Sequence, residues 1–120
     1  MPAPSPRLVG DAAVRAEIAG AVWSLQPAER GLDANIIDLP AGDEIARHDG
    51  PALDVLILVL DGGGVLETAG EPIDLTPGAL AWLPPHSQRR FIAGASGLRY
   101  FSVHARKPGL AIGAAPARDA

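Results

Sequence analysis

No cysteine occurs anywhere in the 120 residues. A disulfide framework, a thiolate metal site and a thiol nucleophile are therefore excluded, and several classes of enzyme with them. Aromatic residues are scarce, at two Trp, two Phe and one Tyr, too few for a platform that stacks the bases of single-stranded nucleic acid. Basic residues are outnumbered, ten against fourteen acids. The resulting charge of −4 disfavours nucleic acid as a partner, because phosphate binding draws its affinity from clustered Lys and Arg. Long hydrophobic runs are missing too: nothing approaches the roughly 18 apolar residues of a membrane span. The stretch after Met1, PAPSPRLVG, has no apolar core of signal-peptide length. A soluble cytoplasmic protein without a membrane partner is the expectation. The length is that of one domain, able to bury a core without disulfides or metal.

What is present is organised around Gly42 to Gly64, GDEIARHDGPALDVLILVLDGGG. Val55 to Leu60 are consecutive aliphatics, too short for a membrane and too β-branched to favour a helix. They predict a strand buried on both faces, which in an all-β chain requires a sandwich or closed barrel. Further strands are predicted at Ala21–Leu25, Leu32–Leu39, Ile45–His48, Val65–Thr68, Pro72–Leu75, Ala79–Leu83, Gln88–Ile92 and Leu98–His104. Irregular alternation of Asp33, Asn35 and Asp38 suggests a bulge in Leu32–Leu39. Gly62-Gly63-Gly64 and the Gly94–Gly97 segment are read as turn and loop. About nine short strands with regular turn signals and hardly any helix give the pattern of a jelly-roll barrel.

The ends differ from this middle. Residues 1–20 read as an arm in which Asp11 as N-cap, with Val14 and Ile18 four apart, is compatible with a short helix. The barrel is expected over 21–107, and the Pro-, Gly- and Ala-rich 108–120 as a flexible tail. Charge is also unevenly spread: residues 1–75 hold thirteen acids and four bases, and 76–120 one acid and six bases. Either the halves neutralise one another across the fold, or Arg89, Arg90 and Arg99 border a site for an anion.

Over roughly Leu32 to Arg106 the chain resembles the small single-domain cupins, a double-stranded β-helix or jelly-roll family. Gly42, five residues, His48, and then Gly62 fit the first cupin motif. Gly70, the Pro77-Gly78 turn, Ala79–Leu83 and Pro84-Pro85 fit the second. The resemblance implies an all-β barrel with a central ligand cavity, and in many members a divalent first-row metal held by three His and one Glu. Of those ligand positions only His48 is kept. Gly50 stands where the second His belongs, and the last His maps to Arg89, whose guanidinium cannot bind a cation. The carboxylate position falls on Asp54 or on Val55, depending on register. No tight metal is expected; if one is held, His48 and Asp54 are its ligands.

Within the barrel so implied, His48 is the candidate acid or base, with Asp54 as its orienting carboxylate; the alternative is a residue left from a metal-binding ancestor. Arg89 is placed to pair a carboxylate or phosphate, or else an acid of the first half. Arg90 alternates to the opposite, solvated face. Tyr100 and His104 share a strand face with Ser102 and line either the cavity or an outer strip. His86 follows Pro84-Pro85 in a turn with some reach to the mouth. Trp82 is a ligand platform or core, Glu67 is expected to face solvent, and Asp49 and Asp61 are turn acids. Three functions stand: a metal-independent binder of a small organic ligand, anions among the candidates, with acid–base isomerase or cyclase capacity; a degenerate metal enzyme using His48 and Asp54; or a structural or sensory domain without catalysis. Pairing of a sheet edge or an apolar outer face with a second copy makes a homodimer the expected assembly.

Overall fold

The computed structural model describes residues 3–15 and 17–106. The tail expected over 108–120 lies outside them. Among the described residues seven strands follow one another: β1 (Gly20–Ser24), β2 (Leu32–Leu39), β3 (Glu44–Asp49), β4 (Val55–Glu67), β5 (Ile73–Leu75), β6 (Leu80–Leu83) and β7 (Gln88–Ala105). All pairings are antiparallel. The count falls below nine because two pairs of expected strands are fused.

Both fusions occur at glycines, and both have the same cause. Gly62 adopts φ +72, and a Cβ there would collide with the carbonyl of Gly97. At Gly64 a Cβ would meet the carbonyl of Ile92. The glycines therefore let β4 and β7 press backbone to backbone while bending, rather than reversing the chain. The β4–β7 register shifts at Val59/Asp61 and again at Gly62/Gly64, two bulges that sharpen the bend. Gly62-Gly63-Gly64 is thus no turn, and Gly94–Gly97 is no loop between strands.

Bending carries each long strand through both halves of the barrel. One half contains β1, β2, residues 98–105 of β7, the start of β4, and β6. The other contains β3, residues 88–93 of β7, the end of β4, and β5. Between them lies the core: Ile37, Leu39, Val55, Ile57, Val59, Leu66, Leu75, Leu83, Phe91, Ala93, Leu98 and Tyr100. The aliphatic strand is buried on its inner face only, since Leu56 is exposed while Val55, Ile57 and Val59 are not.

Two further expectations are corrected. The bulge lies in β1, between Ala21 and Trp23, whereas β2 runs in unbroken register with β7 from Leu32 to Leu39. The irregular polarity of β2 arises instead because Asn35 is buried on the inner face, where Ser24 donates to its Oδ1 at 2.7 Å. No helix forms over Asp11–Gly20 among the described residues. Asp11 caps only a turn, accepting from the Ala13 amide at 2.9 Å. The carbonyls of Ala12 and Val14, which a helix would use, accept instead from Arg99 at 3.0 and 2.9 Å. Val14 and Ile18 remain exposed, so the apolar stripe has no core to bury in.

Candidate site inside the barrel

Strand β7 supplies two walls of the interior. Its bend near residues 94–97 brings Phe91 over Tyr100, with ring centroids 4.8 Å apart and planes 8° from parallel. Side chains alternate along each limb, so Arg89 and Ser102 each lie two residues farther from the bend on the same inner faces. Burial follows that alternation: Arg89, Phe91, Ala93, Leu98, Tyr100, Ser102 and His104 are all buried. Neighbouring strands add to the Arg89 and Ser102 level. His48 of β3 pairs with Arg89, while Asn35 of β2 and Ile57 of β4 pair with Ser102. A polar layer thus sits on an apolar floor made by the aromatic stack.

Arg89 is the largest fully buried side chain, with 0% of its surface exposed. Its Nε donates to the Ser87 carbonyl at 3.2 Å, and its Nη2 donates to Ser87 Oγ at 2.8 Å and to the Pro84 carbonyl at 3.5 Å. Among the described residues Nη1 has no partner, and neither has Ser102 Oγ. Among the described residues no carboxylate pairs with Arg89. Arg90 and Arg99, by contrast, find Glu44, Glu67 and Asp38. Cross-fold neutralisation therefore accounts for two of these three basic residues. Burial pushes the Arg89 pKa below its ordinary value, and the nearby Tyr100 acts in the opposite direction. Desolvating a guanidinium without a counter-charge costs several kcal/mol, so this cation is held at a disadvantage.

Gly50 makes room for it. A Cβ at Gly50 would collide with the Arg89 guanidinium, so the residue missing as a metal ligand is also the one whose absent side chain admits the arginine. His48 is half-buried, and its Nδ1 lies 2.9 Å from the Ala46 carbonyl. A carbonyl only accepts, so Nδ1 carries the proton and Nε2 is left as an acceptor in the neutral ring.

The other expected residues disperse. Val55 is fully buried and Asp54 exposed, which settles the register. Asp54 turns to the outer face and accepts from Trp82 Nε1 at 2.8 Å, so it does not orient His48. Trp82 is itself 64% exposed on that face, outside the core. Tyr100 faces inward as part of the floor. His104 is buried on the same strand face, with Nδ1 2.9 Å from the Ala105 carbonyl, opposite Asp33. His86 is exposed in the β6–β7 turn with φ +60, and its amide donates to the Pro51 carbonyl at 2.8 Å. Glu67 is held by Arg47 and Arg90, so Arg90 is paired rather than free in solvent. Asp61 lies within β4, paired with Arg15. Sequence reasoning gave no role to Ser102 or to Gly50 as a slot; only the alternation with Tyr100 and His104 pointed to Ser102.

The metal that the cupin resemblance implies does not fit these residues. Among the described residues no three of His, Cys, Asp and Glu are grouped to hold an ion. Val55 fills the inward register, and the cross-strand partner of His48 is Arg89, a cation rather than a ligand.

A separate cleft of about 580 Å³ lies at the bend end of the barrel, between the arm and residues such as Asp38, Asp61, Gly97 and Arg99. Its arginines are already paired, Arg15 with Asp61 and Arg99 with Asp38. The unpartnered buried polar atoms among the described residues, Arg89 Nη1 and Ser102 Oγ, lie instead in the interior.

A family model described as the AraC-like ligand-binding domain matches residues 40–111, more than half of the chain. The chain belongs to the AraC-like ligand-binding domain family. Solved structures similar to this AraC-like domain include cupins. A cupin protein from Bacteroides fragilis superposes with a TM-score of 0.60 at 23% identity, over 70% of this chain and 73% of that one. A cupin 2 conserved barrel domain protein from Rhodopseudomonas palustris gives 0.63 at 14%, over 68% and 57%. A sugar phosphate isomerase of the cupin superfamily from Silicibacter pomeroyi gives 0.62 at 19%, over 71% and 59%. The AraC-like domain thus spans under two thirds of the latter two chains. At these identities the likeness is one of fold: a small cupin barrel. No curated protein matches the sequence significantly.

Proposed function

We propose that this AraC-like domain binds a small organic anion inside its barrel, with Arg89 as anchor and Ser102 and His48 as the polar groups beside it. The observation that carries the reading is the fully buried Arg89, uncompensated among the described residues, with Nη1 unpartnered there. A cation so placed is stabilised when an anion enters, because pairing offsets a desolvation already incurred. The membership in a ligand-binding family supports the same reading. His48 supplies an acceptor at Nε2, suited to a hydroxyl on the ligand or to proton transfer in an isomerase or cyclase.

Thermal unfolding with a panel of carboxylates and phosphates tests it. A ligand at 100 times its Kd adds about 2.7 kcal/mol to the folded state. Arg89→Met should abolish that shift while the protein stays folded. If no anion raises Tm, or the shift survives in Arg89→Met, the reading is wrong.

The homodimer expected from the sequence has a face to use. Leu80 and Trp82 of β6 and Leu56 of β4 are exposed on the outside of one half, at 69%, 64% and 47%, beside half-buried Leu58, Phe101 and Val103. We propose that a second copy covers it. Five strands at about 4.8 Å spacing make a face about 24 Å wide, and a standard interface needs about 800 Å² per partner. Copies with a net charge of −4 repel each other, and apart from Asp54, which Trp82 Nε1 binds, the side chains named on this face are apolar.

A further inference from the structure

We infer that the anion taken by the barrel is a monocarboxylate, clamped between the two limbs of β7 by Arg89 Nη1 and Ser102 Oγ. This rests on the anion-binding reading and narrows it. Three features of the polar layer lead to it.

Charge comes first. Among the described residues Arg89 is the uncompensated cation of the inner face, since Arg90 and Arg99 are paired with carboxylates. One negative charge balances it. A dianion would leave a net negative charge in a low-dielectric interior, where it is strongly disfavoured.

Donor count comes second. The Nε and Nη2 sides of the guanidinium are engaged by Ser87 and Pro84, so its fork is not available for a bidentate grip. What remains, among the described residues, is Nη1 with its two N–H donors on one limb and the Ser102 hydroxyl on the facing limb, both buried and unpartnered. A planar carboxylate presents one oxygen to each group, above the floor formed by the Phe91–Tyr100 stack. A phosphate would bring a second negative charge with its further oxygen, which the single guanidinium does not balance.

The floor sets direction. With the stack closing the side toward the bend, the body of the acid points toward the β3–β4 and β6–β7 turns, past Val55 and Leu83, which are buried on the same inner walls. The acid enters carboxylate first.

Isothermal titration of the full chain decides it, with acetate, pyruvate and benzoate as monocarboxylates, succinate and inorganic phosphate as multiply charged anions, and benzamide as the neutral isostere. At least one monocarboxylate should bind tenfold or more tighter than succinate and phosphate at pH 8, and benzamide should not bind. Ser102→Ala should weaken that monocarboxylate about five- to thirtyfold with the melting temperature nearly unchanged. If phosphate or succinate binds as well as the monocarboxylates and Arg89→Met removes it, anion binding stands and the carboxylate clamp is overturned. Ser102→Ala without effect on a bound monocarboxylate also overturns the clamp. If no probe binds at all, the parent reading fails and this one with it.

Discussion

Arg89 and Gly50 share one volume, and the consequences of changing either can be separated. Arg89→Met removes a desolvated charge, worth several kcal/mol, and gives up three hydrogen bonds worth about 1 kcal/mol each. The ligand-free variant should therefore be about 1–2 kcal/mol more stable in urea titration while losing anion binding. A loss of more than 1 kcal/mol would show that the contacts with Ser87 and Pro84 outweigh the desolvation. Gly50→Ala forces a methyl into the guanidinium, so it should cost about 1–3 kcal/mol, as overpacking does. Paired with Arg89→Ala that cost should largely vanish, a coupling that a double-mutant cycle reads directly. Residue-level legibility was uneven for physical reasons. Position Arg89 followed from alternation and family spacing, but whether it had a counter-ion depended on long-range contacts that no local pattern encodes. Asp54 against Val55 was a one-residue question of register, and a strand's register is fixed by its partners: here Leu83 and Trp82 of β6 face Val55 and Leu56.

At the scale of elements, glycine was ambiguous. The same residue serves a reversal and a bend, and only pairing across the barrel shows that Gly62 and Gly64 press against β7 rather than turn away from it. The arm presents the opposite case, with local helix signals overridden by tertiary contacts. Arg99, buried and bonded to Asp38 at 2.6 Å, takes the arm carbonyls, and Trp23 Nε1 donates to the Val9 carbonyl at 3.0 Å. Arg99→Ala leaves Asp38 without its main partner and should cost about 3 kcal/mol, with cleavage of the arm in limited proteolysis at protease levels that spare the parent. The arm should also respond to acid. The hydrogen bond from Arg15, and next that from the Gly62 amide, hold Asp61 below its ordinary value of 3.8. A carboxylate with a depressed folded pKa contributes stability above its unfolded pKa and loses it as pH falls through the folded one. In a Trp82→Phe background, Trp23 emission should move to the red as pH drops below about 4, and Asp61→Asn should shrink that transition. An unchanged transition would assign the arm's hold to Arg99 alone.

For the molecule as a whole, the all-β barrel was the most legible property, because it follows from many weak signals that agree: short alternating runs, punctuating glycines and prolines, and two motifs at matching spacing. The outer surface was less so, since alternation says which residues share a face and not which face is inside. The structure resolves this by placing Val55, Ile57 and Val59 in the core and leaving Leu56, Leu80 and Trp82 outside. Apolar side chains gathered on one sheet face are unusual for a surface without a partner. Trp82 is moreover fixed by Asp54, so little rotamer freedom is lost when it is buried. The expected assembly is a two-fold dimer through this face, with a mass in light scattering of twice the 12.3 kDa chain. Leu80→Glu introduces a carboxylate at an outward position that is 69% exposed and outside the core cluster. It should therefore leave monomer folding intact by circular dichroism while shifting the mass to that of one chain. Asp54→Asn frees the Trp82 indole from a charged acceptor and should weaken association less, by about threefold to tenfold in Kd, because only the preorganisation of one anchor is lost. A wild-type protein that elutes as a monomer at tens of micromolar, or a Leu80→Glu variant that remains dimeric, would place the interface elsewhere.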